Sequence, residues 1–224
     1  MAEQKHTPNA LDVEEALTTS EAYIIRNKKT IIGVIVALIV VVGGFILYNH
    51  FVVTPKEEKA STMLAKGQEY FMMDQFELAL NGDSINYKGF AKIAAEESGT
   101  DAANLANAYA GLCLAHLGKS EEAIAYLEKF SGDDQMVAPS VKAALGNCYI
   151  KKGDLEKGAA LLVEAADDTD SQSLSPIFLQ QAGEAYEKLG KNDEALKAYQ
   201  TIKDKYFNSY LGVNIDKYIE RVSK

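Results

Sequence analysis

GLCLAHLGKSEEA (residues 111–123), GNCYIKKGDLEKG (146–158) and GEAYEKLGKNDEA (183–195) lie on one another without a gap. Each has Gly first, Leu or Tyr three positions on, a second Gly seven on and a small residue twelve on: Gly111, Leu114, Gly118, Ala123; Gly146, Tyr149, Gly153, Gly158; Gly183, Tyr186, Gly190, Ala195. The leading glycines are 35 and 37 residues apart, and a fainter copy, Gly67, Tyr70, Asp74, Ala79, starts 44 residues before Gly111. Helical periodicity alone would produce an apolar stripe, but not glycine at two fixed places. A small leading residue lets two helices approach closely, and the aromatic or Leu one turn later fills the space between neighbouring units. The second glycine can adopt a positive φ and end the first helix, and the last small residue lets a second helix return against it. Stacked helical hairpins follow.

Start signals fit the same frame. Ser120, Asp154 and Asn192 are predicted to cap the second helices, with Glu121, Glu122, Glu156, Asp193 and Glu194 in first turns, where the helix dipole favours acids. Pro139 and Pro176, seven residues before Gly146 and Gly183, fall in first turns of first helices, where a missing N–H costs nothing. Helices are predicted near 60–73, 88–97, 101–117, 120–130, 138–151, 154–167, 175–189, 192–205 and 208–222, the last a capping helix. This all-α solenoid of about four units resembles the tetratricopeptide repeat, a hairpin of about 34 residues, over nearly all of the chain after Ala60. The first unit departs from the pattern. Asp74 replaces the turn glycine, and Leu80-Asn81-Gly82-Asp83-Ser84-Ile85-Asn86-Tyr87 interrupts the second helix with turn formers. The insertion accounts for the longer offset and reads as a tolerated surface loop, or as a lip over a binding groove. Gly82-Asp83-Ser84 lacks the Gly-Lys-Ser/Thr of a phosphate loop.

Ahead of the repeats, Thr30–Tyr48 (TIIGVIVALIVVVGGFILY) carries no charge. At about 1.5 Å per residue it reaches about 28 Å, close to the thickness of a bilayer's hydrocarbon core. It has no polar stripe of the kind a surface-packed soluble helix shows. A cleavable signal peptide fits poorly, because 29 residues precede the run and Asn49-His50-Phe51-Val52-Val53-Thr54-Pro55 has no Ala-x-Ala pattern. An uncleaved signal anchor is expected. Arg26, Lys28 and Lys29 abut its amino end, whereas Lys56 and Lys59 lie beyond Pro55, which keeps the N-terminus cytoplasmic. The predicted organisation is a tail at 1–29, a transmembrane helix at 30–48, a linker at 49–59 and the solenoid at 60–224. Gly33, Gly43 and Gly44 do not form a Gly-x-x-x-Gly dimer motif. In the tail, Leu11–Leu17 either forms a short docking helix or stays disordered.

From Pro55 onward 19 Lys and Arg face 27 Asp and Glu, a net of −8. Such a surface repels nucleic acid and anionic headgroups and favours solubility. Two cysteines exclude a disulfide-built scaffold. Cys113 and Cys148 each lie two positions after a leading glycine. Equivalent helices lie about 8–10 Å apart, and a disulfide wants α-carbons within about 7 Å, so two buried free thiols are predicted. His116 is the one histidine of the repeat region, and no His pair has metal spacing. Asp167-Asp168-Thr169-Asp170 lacks the glycine and closing Glu of a calcium loop. No catalytic, cofactor-binding or metal-binding residue is predicted, and the chain is not expected to be an enzyme.

What remains is the face formed by the first helices, where a solenoid holds protein partners. In the repeat frame its candidates are Leu112, His116, Asn147, Lys151, Glu184 and Lys188. Tetratricopeptide domains that clamp chaperone C-termini use a Lys and an Asn four apart. Here the corresponding pairs are Ala108 with Leu112 and Ala143 with Asn147, so that clamp is not expected. The order of parts resembles the bacterial ancillary SecYEG translocon subunit (YfgM-like) family, as do Ala22-Tyr23-Ile24-Ile25 before the basic flank and the ending Lys205-Tyr206-Phe207-Asn208-Ser209-Tyr210. This resemblance implies a single-pass protein of the bacterial inner membrane with periplasmic repeats, which meets the Sec translocon and periplasmic chaperones and assists exported proteins. The alternatives are a cell-envelope assembly adaptor with another partner, and a metal-dependent binder or enzyme built on the acidic loops.

Overall fold

A computed structural model describes residues 23–83, 85–134 and 137–223. The tail segment Leu11–Leu17 lies outside them, as does Ser84 of the insertion. Contacts divide the chain into two units, Met1–Pro55 and Lys56–Lys224. In the first, α1 (Lys28–Tyr48) has no buried residue and is long and apolar enough to cross a membrane. A π-helical turn over Asn49–Val53 follows it, so the first residues expected to form a linker are helical.

Every described element of the second unit is a helix. They are α2 (Thr54–Met72), α3 (Phe76–Asn81), α4 (Phe90–Glu96), α5 (Asp101–His116), α6 (Ser120–Leu127), α7 (Val137–Lys152), α8 (Leu155–Thr169), α9 (Ser175–Lys188) and α10 (Asn192–Lys205), with a 3₁₀ turn at Gly212–Asn214 before α11 (Asp216–Val222). The hairpins are α2 with α3 and α4, α5 with α6, α7 with α8 and α9 with α10. Each first helix ends in the same bond pair. The Gly118, Gly153 and Gly190 amides reach the carbonyls of Ala115, Ile150 and Glu187, and the next amides reach those of Leu114, Tyr149 and Tyr186. This is the Schellman closure, and φ is +76°, +101° and +72° at the three glycines. The first hairpin closes identically, with Asp74 at φ +56° bonding Phe71 and Gln75 bonding Tyr70. Asp74 therefore belongs to the same series despite its side chain.

Two expectations about helix starts are corrected. Asp154 caps α8 by accepting from the Lys157 amide at 3.2 Å, but Ser120 and Asn192 are first helical residues without a capping bond, and Lys119 and Lys191 hold the cap positions. Asp154 lies eight residues after its leading glycine and Ser120 and Asn192 nine, so the latter two are one step late. The terminal helix, expected from 208, begins at Asp216 because the preceding residues form turns. A short helix, α3, precedes the break in the first unit, where none was predicted.

The leading glycines are where the hairpins touch. A β-carbon on Gly111 would fall 2.5 Å from Leu127, one on Gly146 3.1 Å from Leu162 and one on Gly183 2.4 Å from Tyr199. All three neighbours lie sixteen residues after their glycine. The insertion displaces this position in the first hairpin, and Tyr87 and Phe90 meet Gly67 instead. The small positions of the second helices, Ala79, Ala123 and Ala195, are 0 % exposed. Leu114, Leu127, Leu162, Tyr199 and Ile202 are buried around them, the aliphatic side chains each worth about 1.5–3 kcal/mol of transfer free energy. Cys113 and Cys148 are buried free thiols, and burial pushes Cys113 up to about 12 and also raises Cys148.

The insertion is a built element rather than a loose loop. One Asp83 carboxylate oxygen accepts from the Ile85, Asn86 and Tyr87 amides at 3.0, 2.8 and 2.8 Å, while the other accepts from the Tyr70 hydroxyl and pairs with Lys66. The Tyr87 hydroxyl donates to the Ala79 carbonyl at 2.7 Å, with its ring buried. A carboxylate also starts the second hairpin. Glu57, on α2, accepts from the Asp101 and Ala102 amides at 2.8 and 2.9 Å, and the Thr100 hydroxyl accepts from Ala103. Three of the four orphan amides at the start of α5 are thereby satisfied.

Candidate protein-binding face

Successive first helices are stitched by polar side chains at one repeating register. The Gln68 amide donates to the Tyr109 hydroxyl at 3.0 Å, from α2 to α5, and the Asn147 amide donates to Gln181 Oε1 at 3.0 Å, from α7 to α9. In both, the donor follows its leading glycine by one and the acceptor precedes the next by two. At the same step between α5 and α7 the register positions hold Leu112 and Ala144, both half-buried apolar residues at the edge of the core. At the C-terminal end Gln180 donates to the Tyr218 hydroxyl of α11 at 2.8 Å and to Glu184 at 3.0 Å. One face therefore carries contacts from α2 to α11.

The six sequence candidates fall at three kinds of place on this face. Leu112 packs into the core edge, and Asn147 and Glu184 are part of the stitching. His116 is exposed, with its ring stacked on Phe76 at 4.3 Å and 9°, and edge-on to Phe71. That stacking seats an amphipathic ring on an aromatic floor with its edge in water. Lys151 and Lys188, exposed at the turn ends of α7 and α9, make no ion pair among the described residues. Sequence reasoning missed Gln68, Tyr109 and Gln181. Reading the repeat frame across neighbouring units, instead of within one, would have found them.

Three clefts lie elsewhere, between successive hairpins: the first two sit where first helices begin and second helices finish, and the third runs along its hairpin as far as Tyr186 and Glu194. Their lining recurs at fixed repeat positions: Asn107 with Tyr126, Lys142 with Leu161, and Leu179 with Ala198. None of the six candidates lines them. Among the described residues no three His, Cys, Asp or Glu are grouped to hold a metal ion.

Stacked hairpins with a shared first-helix face define a helical-repeat scaffold for protein–protein interaction. The chain belongs to the tetratricopeptide repeat-like domain family, whose pattern matches residues 22–212. The comparison with curated proteins returned no match.

Proposed function

We propose that the protein is a non-catalytic scaffold, held at the bacterial inner membrane by α1, whose first-helix face binds protein partners in the periplasm at the Sec translocon. The observation that carries this reading is the pairing of two parts: a repeat face with exposed, uncommitted groups such as Lys151 and Lys188, and a helix with no buried side chain and no charge from Thr30 to Tyr48. The family pattern begins at residue 22 and so takes in the apolar helix with the repeats. Lys28 and Lys29 at its start favour the cytoplasmic side for that end. The partners fitting this position are translocon components and periplasmic chaperones, and the task is assistance to exported chains.

Photo-crosslinking groups at Asn147 and Lys188 of the full chain in native membranes test the reading. Recovery of translocon or chaperone components, with the repeats cleaved by protease added outside spheroplasts, is expected. Protection of the repeats would overturn the topology. Crosslinks to other envelope proteins alone would replace the partner and leave the anchored scaffold standing.

A further inference from the structure

The cleft between the second and third repeats differs from its two equivalents in chemistry. It has a volume of about 770 Å³, with a floor of Leu127, Phe130, Pro139, Val141, Leu145 and Leu161. Its rim carries Glu128, Asp133, Asp134 and Asp168, all exposed. The one lysine lining it, Lys142, is offset by Asp168 at 2.5 Å and Glu164 at 3.5 Å. Glu128 is itself paired with Lys157 at 3.7 Å and bonded by the Tyr149 hydroxyl, so the net negative sign of the rim is carried foremost by the exposed Asp133. The preceding cleft, of about 660 Å³, has a polar lining that includes Asn104, Asn107 and Ser131. The following one, about 320 Å³, mixes Asp167 and Glu194 with Lys197 and Lys205. Only the middle cleft of the three combines an apolar floor with a rim of one net sign.

We infer that this cleft is a docking site for a cationic amphipathic segment of another protein, which seats bulky apolar side chains on the floor and sets flanking Lys or Arg against the rim. Charge complementarity selects this occupant. Acids beside the apolar side chains would meet the exposed Asp133, next to Glu128 and Asp168 that already hold lysine partners, and like charges brought together at an interface are rejected. The site goes beyond the proposed function, since it lies at the other end of the hairpins from Lys151 and Lys188 and requires neither the anchor nor the first-helix face.

The test uses the full chain in neutral maltoside micelles and a short fluorescein-labelled peptide with a Leu pair flanked on both sides by Lys pairs; signal from empty micelles is subtracted. Binding is expected to weaken about tenfold on Asp133→Lys and on exchanging the peptide's Lys for Glu, and to fall as salt screens the rim. Asp133 is exposed, so its reversal leaves the core untouched. A photoreactive group at Phe130 should capture the probe, whereas one at Leu112 should not. Equal binding of both peptides, indifference to Asp133→Lys, or capture at Leu112 in place of Phe130 would each overturn the inference. Loss of translocon crosslinks from Lys188 would bear on the proposed function alone.

Discussion

Gly146 and Gly158 meet backbone to backbone. A β-carbon on Gly146 would lie 2.8 Å from the Gly158 carbonyl oxygen, and one on Gly158 would lie 2.5 Å from that of Gly146. Neither obstacle can swing away as a side chain would, so α7 and α8 must separate to admit a methyl group. Gly158→Ala is expected to cost about 1–3 kcal/mol as overpacking, lowering the melting temperature by about 2–4 °C per kcal/mol in a domain of this size. Thermal unfolding followed by circular dichroism measures it. An unchanged melting temperature would mean that the helices are not held at this distance.

The left-handed turn position predicts the opposite sign in the first repeat. Asp74 holds φ +56° where the other three hairpins have glycine, and its side chain is exposed. An L-residue there is strained by about 1–2 kcal/mol, less for Asp than for most, and glycine's larger unfolded-state entropy offsets part of the gain. Asp74→Gly should therefore stabilise by about 0.5 kcal/mol. The mirror change, Gly190→Ala, finds no steric obstacle within 4 Å yet should destabilise through φ alone. Melting curves of the two variants shifting in the same direction would sink this account.

The hairpins were legible because each depends on residues close in sequence: a glycine that ends a helix, and another sixteen residues from the side chain it accommodates. Even the aberrant Asp74 fell in register. What was not legible depended on distance. That Glu57 would satisfy the amides of Asp101 and Ala102 cannot be read from either segment, since many carboxylates compete for any helix start. The insertion looked like a loop because turn formers dominate it, and only the three amides gathered by Asp83 show it to be fixed. On the candidate face, the frame placed Asn147 correctly in the first helix, but its bond to Gln181 depends on how one repeat rotates on the next. The acidic-rimmed cleft lay hidden for the same reason, its floor and rim coming from α6, α7, α8 and the segment after α6.

Asp83 sets a pH signature. Hydrogen bonds from the Asn86, Tyr87 and Ile85 amides hold its carboxyl well below the ordinary carboxylate value of 3.8. A group depressed in the folded state contributes fully above its unfolded pKa and loses that contribution as pH falls towards the folded one. The Ile85–Tyr87 amide resonances should therefore stay in place while exposed carboxylates titrate near pH 4, and move only at lower pH. Asp83→Ala should remove that low-pH movement altogether and speed hydrogen exchange at Tyr87. Amide shifts that follow the ordinary carboxylates through pH 4 would count against the bonding described.

Glu187 and Arg221 close the solenoid. The guanidinium donates from Nε to Oε2 at 2.7 Å and from Nη2 to Oε1 at 2.6 Å, and the Tyr199 hydroxyl donates to the same carboxylate. The Glu187 side chain is 19 % exposed and that of Arg221 52 %. Burial alone would raise the Glu187 pKa, but the bonds from Arg221 and Tyr199 outweigh it and leave the group lowered. The clamp is thus complete at neutral pH and weakens only under acid, as pH falls past the unfolded value near 4.5. Because the arginine is half exposed, the pair is worth only about 1 kcal/mol to overall stability. Its larger effect is local, since α11 is seven residues long and too short to persist by itself. Arg221→Ala also removes one of the two cations over the Tyr218 ring, at 4.8 Å, and leaves Lys217 at 5.0 Å. Hydrogen exchange in α11 should then rise by about fivefold to tenfold with little change in α5 or α7. Arg221→Lys should recover only part of the protection, because a single ammonium cannot reproduce the two-pronged bond. Equal protection in the Ala and Lys variants would mean that packing of Ile215 and Val222, rather than this clamp, holds the terminal helix.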